Sequence, residues 1–88
     1  MVCYFKADNK FTSIFTREGE GLINKSIKSL AQELDPDRFW RIHRATIVNV
    51  SQIAEVSRTK TGRGAVRLKD RPEVLTVSRP YLRLFKKM

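Results

Sequence analysis

FWRIHRATIVNVSQI, residues 39–53, sets a cationic insert between two apolar groups. Phe39, Trp40 and Ile42 favour burial, as do Ile47, Val48 and Val50. Arg41, His43 and Arg44 stand between them, with only Ala45 and Thr46 to restart the run. FWRIH (39–43) reads as a strand, and the apolar residues after Thr46 anchor the return of the chain. The backbone between is then pinned on both sides, so that Arg44 is presented from a rigid turn. His43 reads as a hydrogen-bonded support of that turn, and Asn49 as a turn-stabilising side chain rather than a ligand.

Outward from this stretch the pattern is mostly β. Upstream, VCYFKA (2–7), FTSIFTR (11–17) and GLINK (21–25) are short β-favouring segments separated by Asp8-Asn9-Lys10 and by EGEG, as in a meander. SIKSLAQEL changes period: Ile27, Leu30, Ala31 and Leu34 fall on one face of a helix, with Ser26 to cap it and Asp35-Pro36 to end it. Downstream, IAEVSRT (53–59), AVRLK (65–69) and VLTV (74–77) read as strands, with KTGRG as a loop and Asp70 to Glu73 as a turn. Ser78-Arg79-Pro80 opens a short C-terminal helix whose last turn holds Lys86 and Lys87, matching the negative end of the helix dipole.

Eighty-eight residues, 41% of them hydrophobic, are enough for one domain with one modest core. No apolar run reaches the roughly 18 residues of a membrane span, and MVCYFKADNK has no signal-peptide pattern. The single cysteine, Cys3, reads as a buried, quiet thiol, which suits a cytoplasmic protein. Charge says more about function. Eighteen Lys and Arg against nine Asp and Glu give +9, of which residues 45–88 contribute +7. Such an excess favours a polyanionic partner, with nucleic acid ahead of a membrane or an acidic protein.

Catalytic chemistry is thinly supplied. One His and one Cys give no metal-ligand spacing, and EGEG and TGRG match no phosphate-binding loop, so neither metal nor cofactor is expected. His43 among arginines would suit a small basic ribonuclease, but no second titrating group is nominated. An RNA-binding module is the other alternative. Three cations instead fall where a strand ends and the chain turns: Lys10, Arg44 and Arg79. A strand terminus gives a long side chain a rigid base while its tip reaches a base edge or phosphate.

FWRIHRATIVNVSQI resembles the signature of the LytTR family of bacterial DNA-binding domains, through Phe39, Arg41, His43, Arg44, Ala45, Val48, Asn49 and Ile53. YFKADNKF and KSIKSLAQELDPDRF resemble the family's first strand and turn and its helix and exit, and LTVSRPYLRLF its closing V-S-R and terminal helix. The resemblance covers nearly the whole chain. It implies one domain over residues 1–88, mainly β: an elongated antiparallel fold of several short sheets with a central amphipathic helix and a short C-terminal one. It further implies a chain that begins after the family's first strand or strands, which would leave a sheet edge open to pairing. Ala45 departs from the Ser found in many members.

By the same resemblance, loops rather than a recognition helix enter the grooves of duplex DNA. Lys10, Arg44 and Arg79 would contact bases. Asn9, Thr46, Arg58, Lys60 and Tyr81 would contact phosphate or, with His43, support those that do. The implied setting is a non-enzymatic output domain of a response regulator in a two-component system, joined to a receiver or sensory domain. It would bind paired direct repeats in promoters, as a homodimer on DNA or in two copies, without a membrane partner.

Overall fold

VCYFKA forms β1 (Val2–Ala7), TSIFT forms β2 (Thr12–Thr16) and EGLI forms β3 (Glu20–Ile23) in the computed structural model, which describes residues 1–8 and 11–85. The three make the expected antiparallel meander. Helix α1 (Ile27–Glu33) starts at Ser26, whose side chain accepts from the Ser29 N–H, and stops at Leu34, just before Asp35-Pro36. Ile27 and Leu30 are its buried residues, while Ala31 is exposed.

FWRIH is β4 (Phe39–His43). The segment after it is itself a strand, β5 (Thr46–Asn49), and not merely an apolar return. It lies between β1 and β4 in a five-stranded sheet of order β3-β2-β1-β5-β4. All four of its residues are buried because the sheet is covered on both faces here, which explains why adjacent Ile47 and Val48 are both apolar. Ile47 packs with Phe5, Ile27 and Leu30 beneath the helix, and Val48 packs with Cys3, Tyr4 and Ile42 on the opposite face.

That opposite face meets a second sheet, ordered β6-β7-β8 from Ile53–Arg58, Gly64–Leu68 and Val74–Val77. Its alternation puts Val66, Leu68, Leu75 and Val77 into the core and Arg67 and Thr76 outside. A 3-10 helix, Arg79–Phe85, closes the chain where a short helix was expected. Its Phe85 meets Trp40 edge-on at 5.2 Å between ring centres. Lys86 and Lys87, expected in its last turn, lie outside the described residues. The layers are therefore helix, five-stranded sheet and three-stranded sheet, with principal extents of 34 × 25 × 24 Å. No helix among the described residues is long and apolar enough to cross a membrane.

Two irregularities decide which way side chains point. The β1–β2 register shifts between Val2 and Tyr4, so that consecutive Cys3 and Tyr4 both enter the core between the sheets. Cys3 is fully buried, and burial pushes its thiol pKa up, in keeping with a quiet cysteine. The β4–β5 register shifts between Arg41 and His43, leaving Ile42 as the extra, fully buried residue.

The sheets are also bolted together. Arg71 donates to Glu73 Oε1 at 2.7 Å and to the Thr16 carbonyl at 2.8 Å, and its guanidinium lies 5.2 Å from the centre of the Phe15 ring. Phe15 stacks on Tyr4 at 4.3 Å, and the Tyr4 hydroxyl donates to Glu73 Oε1 at 3.1 Å. Desolvation and the hydrogen bond to Glu73 push the Tyr4 pKa up. For Glu73, desolvation is the largest single influence and acts upward. The hydrogen bonds from Arg71, its own backbone and Tyr4 together outweigh it and leave the carboxyl below its ordinary range.

Candidate nucleic-acid interface

These bolts give the molecule two distinct ends. At one, the Ser78 N–H donates to the Ile42 carbonyl and the Ala7 N–H to the Ala45 carbonyl. That places the β1–β2, β4–β5 and β6–β7 reversals, the entry to α1 and the exit of β8 together. At the other end, the Arg71 contacts place the β7–β8 turn on the β2–β3 turn, with the α1–β4 turn nearby.

Charge follows this division. Glu18 and Glu20, Asp35 and Asp37, and Asp70 and Glu73 lie on or directly beside three of the connections of the second end, where Arg17, Arg38, Lys69 and Arg71 offset them. The first end carries Lys25, Lys28, Arg41, Arg44, Arg58, Lys60, Arg63 and Arg79, with Asp8 as its acidic residue among those described. Lys25 is paired with Glu33 at 2.9 Å across α1. Lys28, Arg44, Arg58, Lys60 and Arg63 are exposed and form no ion pair among the described residues. A surface of this sign, with its counter-charge held at the far side, turns the same face toward any polyanion that approaches.

The residues expected from sequence distribute as follows. Arg44 sits exposed in the β4–β5 turn, and the register shift in β4 sends it toward the helix side. There it lines a groove with Lys25, Lys28, Arg41 and Asp8. Arg41 reaches under the turn, its Nη2 donating to the Arg44 carbonyl at 2.8 Å. His43 goes the other way, into a polar cleft shared with Thr61, Arg63, Ser78 and Arg79. Its Nδ1 accepts the Ala45 N–H at 3.1 Å, so the proton of the neutral ring is on Nε2. This bond ties the ring to the β4–β5 turn. Asn49 is likewise structural: it donates to the Val2 carbonyl at 2.8 Å and accepts from the Ser51 N–H and hydroxyl.

Arg58 ends β6 and Lys60 follows in the β6–β7 loop, both exposed. Thr46 is buried at 6% exposure, and Tyr81 is half-buried against the core with its N–H on the Ser78 carbonyl, so both stand beneath the surface they would support. Arg79 is exposed, and its Nη2 donates to the Thr61 carbonyl at 2.6 Å. Lys10 and Asn9 lie outside the described residues. Their neighbours Asp8 and Phe11 are tied at this end, with the Asp8 N–H on the Phe11 carbonyl at 3.0 Å and the Phe11 N–H on Asp8 Oδ1.

Lys25, Lys28, Arg41 and Arg63 were not singled out from sequence. The start of the helix at Ser26 places Lys25 and Lys28, because the Thr12 hydroxyl holds the Lys25 carbonyl at the basic end. No cluster of three His, Cys, Asp or Glu suited to a metal occurs among the described residues.

Comparison with known proteins agrees with this architecture. A family profile described as the LytTr DNA-binding domain matches residues 1–88. An uncharacterized response regulatory protein of Vibrio cholerae is 41% identical over 87 residues, covering 94% of this chain and 33% of that protein. The positive alginate biosynthesis regulatory protein of Pseudomonas aeruginosa is 35% identical over 82 residues, covering 92% and 33%. The chain thus spans about a third of the length of these curated relatives. A solved LytTr DNA-binding domain, of a putative methyl-accepting/DNA response regulator from Bacillus cereus, superposes with a TM-score of 0.88 at 29% identity, over 98% of this chain and 78% of that one. The helix-backed pair of sheets with its loops gathered at a basic end is therefore the LytTR fold, and this chain belongs to the LytTR family of DNA-binding domains.

Proposed function

We propose that the domain reads double-stranded DNA with the loops of its basic end, as the sequence-reading part of a bacterial transcription regulator. One observation carries the reading: every chain reversal at this end brings cations, while six carboxylates lie on or directly beside connections of the other end. In this reading Arg79 donates a bidentate pair to guanine, and Arg44 enters the minor groove or holds phosphate. Lys10 reads an acceptor edge. Arg58, Lys60 and Asn9 take phosphates, while His43, Thr46 and Tyr81 hold the presenting turns.

The groove beside Arg44 adds Lys28 and Arg41 to the phosphate-holding set. A phosphate seated there would meet guanidinium and ammonium donors from two elements, the helix and the β4–β5 turn. Relatives named as response or transcriptional regulators support a receiver or sensory domain as the covalent partner and promoter DNA as the ligand. Two copies on direct repeats would supply the affinity that one module lacks, since a single module buries only about 600–1,000 Å² of protein surface.

Selection from random duplexes tests this. A preferred site, in one copy or repeated, is expected. Recovery of no preferred site, or equal affinity for structured RNA at matched salt, would overturn it.

A further inference from the structure

The Thr59–Arg63 loop is built around the Arg79 side chain. Its ends are closed by the Thr59 N–H on the Arg63 carbonyl at 2.8 Å, and the Gly62 N–H turns back to the Thr59 carbonyl at 3.1 Å. The Thr59 hydroxyl meets the Thr61 hydroxyl at 2.9 Å and the Arg63 carbonyl at 3.2 Å. Gly62 adopts φ +82°, the left-handed conformation that glycine takes without strain. Together these bonds aim the Thr61 carbonyl at Arg79 Nη2, 2.6 Å away.

The guanidinium also rests on Gly62. A Cβ placed there would lie 3.5 Å from Nε, 3.5 Å from Nη2 and 3.7 Å from Cζ of Arg79. Both nitrogens are nearer than Cζ, so the Nε–Nη2 edge of the guanidinium lies toward the glycine. At its other end the side chain leaves a backbone fixed by the Ser78 N–H on Ile42 and by the Tyr81 N–H on Ser78. Nη2 belongs to both two-donor edges of a guanidinium. Its bond to Thr61 therefore commits one hydrogen and leaves one edge whole.

We infer that the Thr59–Arg63 loop is a positioning device for Arg79: Thr61, through its carbonyl, and Gly62, through its bare Cα, select the guanidinium edge presented to the base pair. The inference rests on the proposed base contact of Arg79. It makes the β6–β7 loop a determinant of sequence preference through a residue on another element. An arginine ordered before binding loses less side-chain freedom on contact, and its alternative hydrogen-bonding poses are suppressed.

The test compares base preference, measured on a panel of single-base variants of the selected duplex, for wild type, Arg79→Ala, Gly62→Val, Gly62→Asn and the double variant Gly62→Val/Arg79→Ala. Valine resists positive φ and displaces the loop, whereas Asn tolerates that conformation. Gly62→Val is expected to lower discrimination about tenfold, only at the position that Arg79→Ala relaxes, over and above any loss from the displaced Lys60, which falls equally on specific and non-specific duplex. Gly62→Asn retains the preference, and the double variant is no worse than Arg79→Ala alone.

If Arg79→Ala relaxes one position and Gly62→Val does not, or if the two losses add, the positioning role is wrong while the base contact stands. If Arg79→Ala relaxes nothing, the base contact itself fails and the loop has nothing to position. Should Gly62→Val not fold, NMR relaxation of the Arg79 Nε–H in the free wild type decides: an ordered side chain is expected, and one as mobile as that of Arg58 refutes the inference.

Discussion

Lys60→Ala isolates the phosphate-holding part of the interface and can be worked to a number. Apart from Arg79, which the proposal assigns to a base, five exposed cations at the reversals and helix entry of the basic end carry no ion pair among the described residues: Lys28, Arg44, Arg58, Lys60 and Arg63. If each neutralises one phosphate, the logarithm of the binding constant falls with the logarithm of salt at a slope of about −4.5. Between 50 and 200 mM salt that weakens binding roughly 500-fold. Removing Lys60 takes one contact away, so the slope becomes about −3.6 and the same interval costs roughly 150-fold. The loss is uniform across DNA sequences because a phosphate carries no base identity. Fluorescence anisotropy on a specific and a scrambled duplex, over four salt concentrations, measures both slopes. Lys69→Ala is the control, since Lys69 is equally exposed but follows β7 at the opposite end. Equal flattening by Lys60→Ala and Lys69→Ala would refute the reasoning, since it would mean that no single end of the domain faces the duplex.

Four further outcomes are expected. Gly64→Ala would place its Cβ 2.7 Å from Leu82 Cδ2 and 3.0 Å from Val77 Cβ, so the Leu82 side chain must repack and Val77 must give. A stability loss of about 1–3 kcal/mol should follow in thermal or denaturant unfolding. Asn49→Ala leaves the Val2 carbonyl and the Ser51 N–H without this partner in a part-buried corner and should cost about 1–2 kcal/mol by the same measurement. The Tyr4–Glu73 pairing stabilises the fold above the ordinary carboxylate range and loses that contribution as pH falls through the lowered value of Glu73. It also loses it as pH rises past the ordinary tyrosine value, since Tyr4 is raised. Glu73→Gln should flatten the acid limb of the stability–pH curve. His43→Ala and wild type should both leave structured RNA uncut in a cleavage assay, while the variant binds duplex DNA more weakly through a loosened β4–β5 turn.

Much of the fold could be read from residue pattern because it follows local rules. The meander, the capped helix and the alternating AVRLK strand each show their period within a few residues. What could not be read depends on neighbours distant in sequence. Thr46–Asn49 carries no alternation to mark it as a strand, because the helix covers Ile47 and the second sheet covers Val48. Ala31 lies on the apolar stripe of the helix, yet a helix this short makes its buried contact with the sheet through Ile27 and Leu30 alone. Among the candidate contacts, Arg44 and Arg79 were legible as cations at strand ends, and Arg58 and Lys60 only through the family resemblance. Lys25, Lys28, Arg41 and Arg63 were not, since their membership depends on which reversals share an end. Strand order and the Arg71 bolt determine that, and neither leaves a local trace.

The cationic insert of FWRIHRATIVNVSQI owes its geometry to the register shift in β4. In a regular strand Ile42 would face opposite to both Arg41 and His43, and Arg44 would follow Ile42 onto the side of the second sheet. The extra residue breaks that alternation. Ile42 fills the core between the sheets, His43 also turns to that side and supports the cleft of Arg79, and Arg44 is left to face the groove by the helix. One inserted position thus divides three adjacent side chains among a core, a proposed support and a proposed DNA contact, and gives the two arginines separate openings at the same end. A bulge at the end of a strand costs ladder hydrogen bonds. Here the buried Ile42 side chain and the Ser78 N–H on its carbonyl offset that cost. Apolar anchors on both sides of the cations are therefore a mechanical requirement: without Trp40 and Ile42 on one side and Ile47 and Val48 on the other, nothing would hold the shifted register against sliding back by one residue.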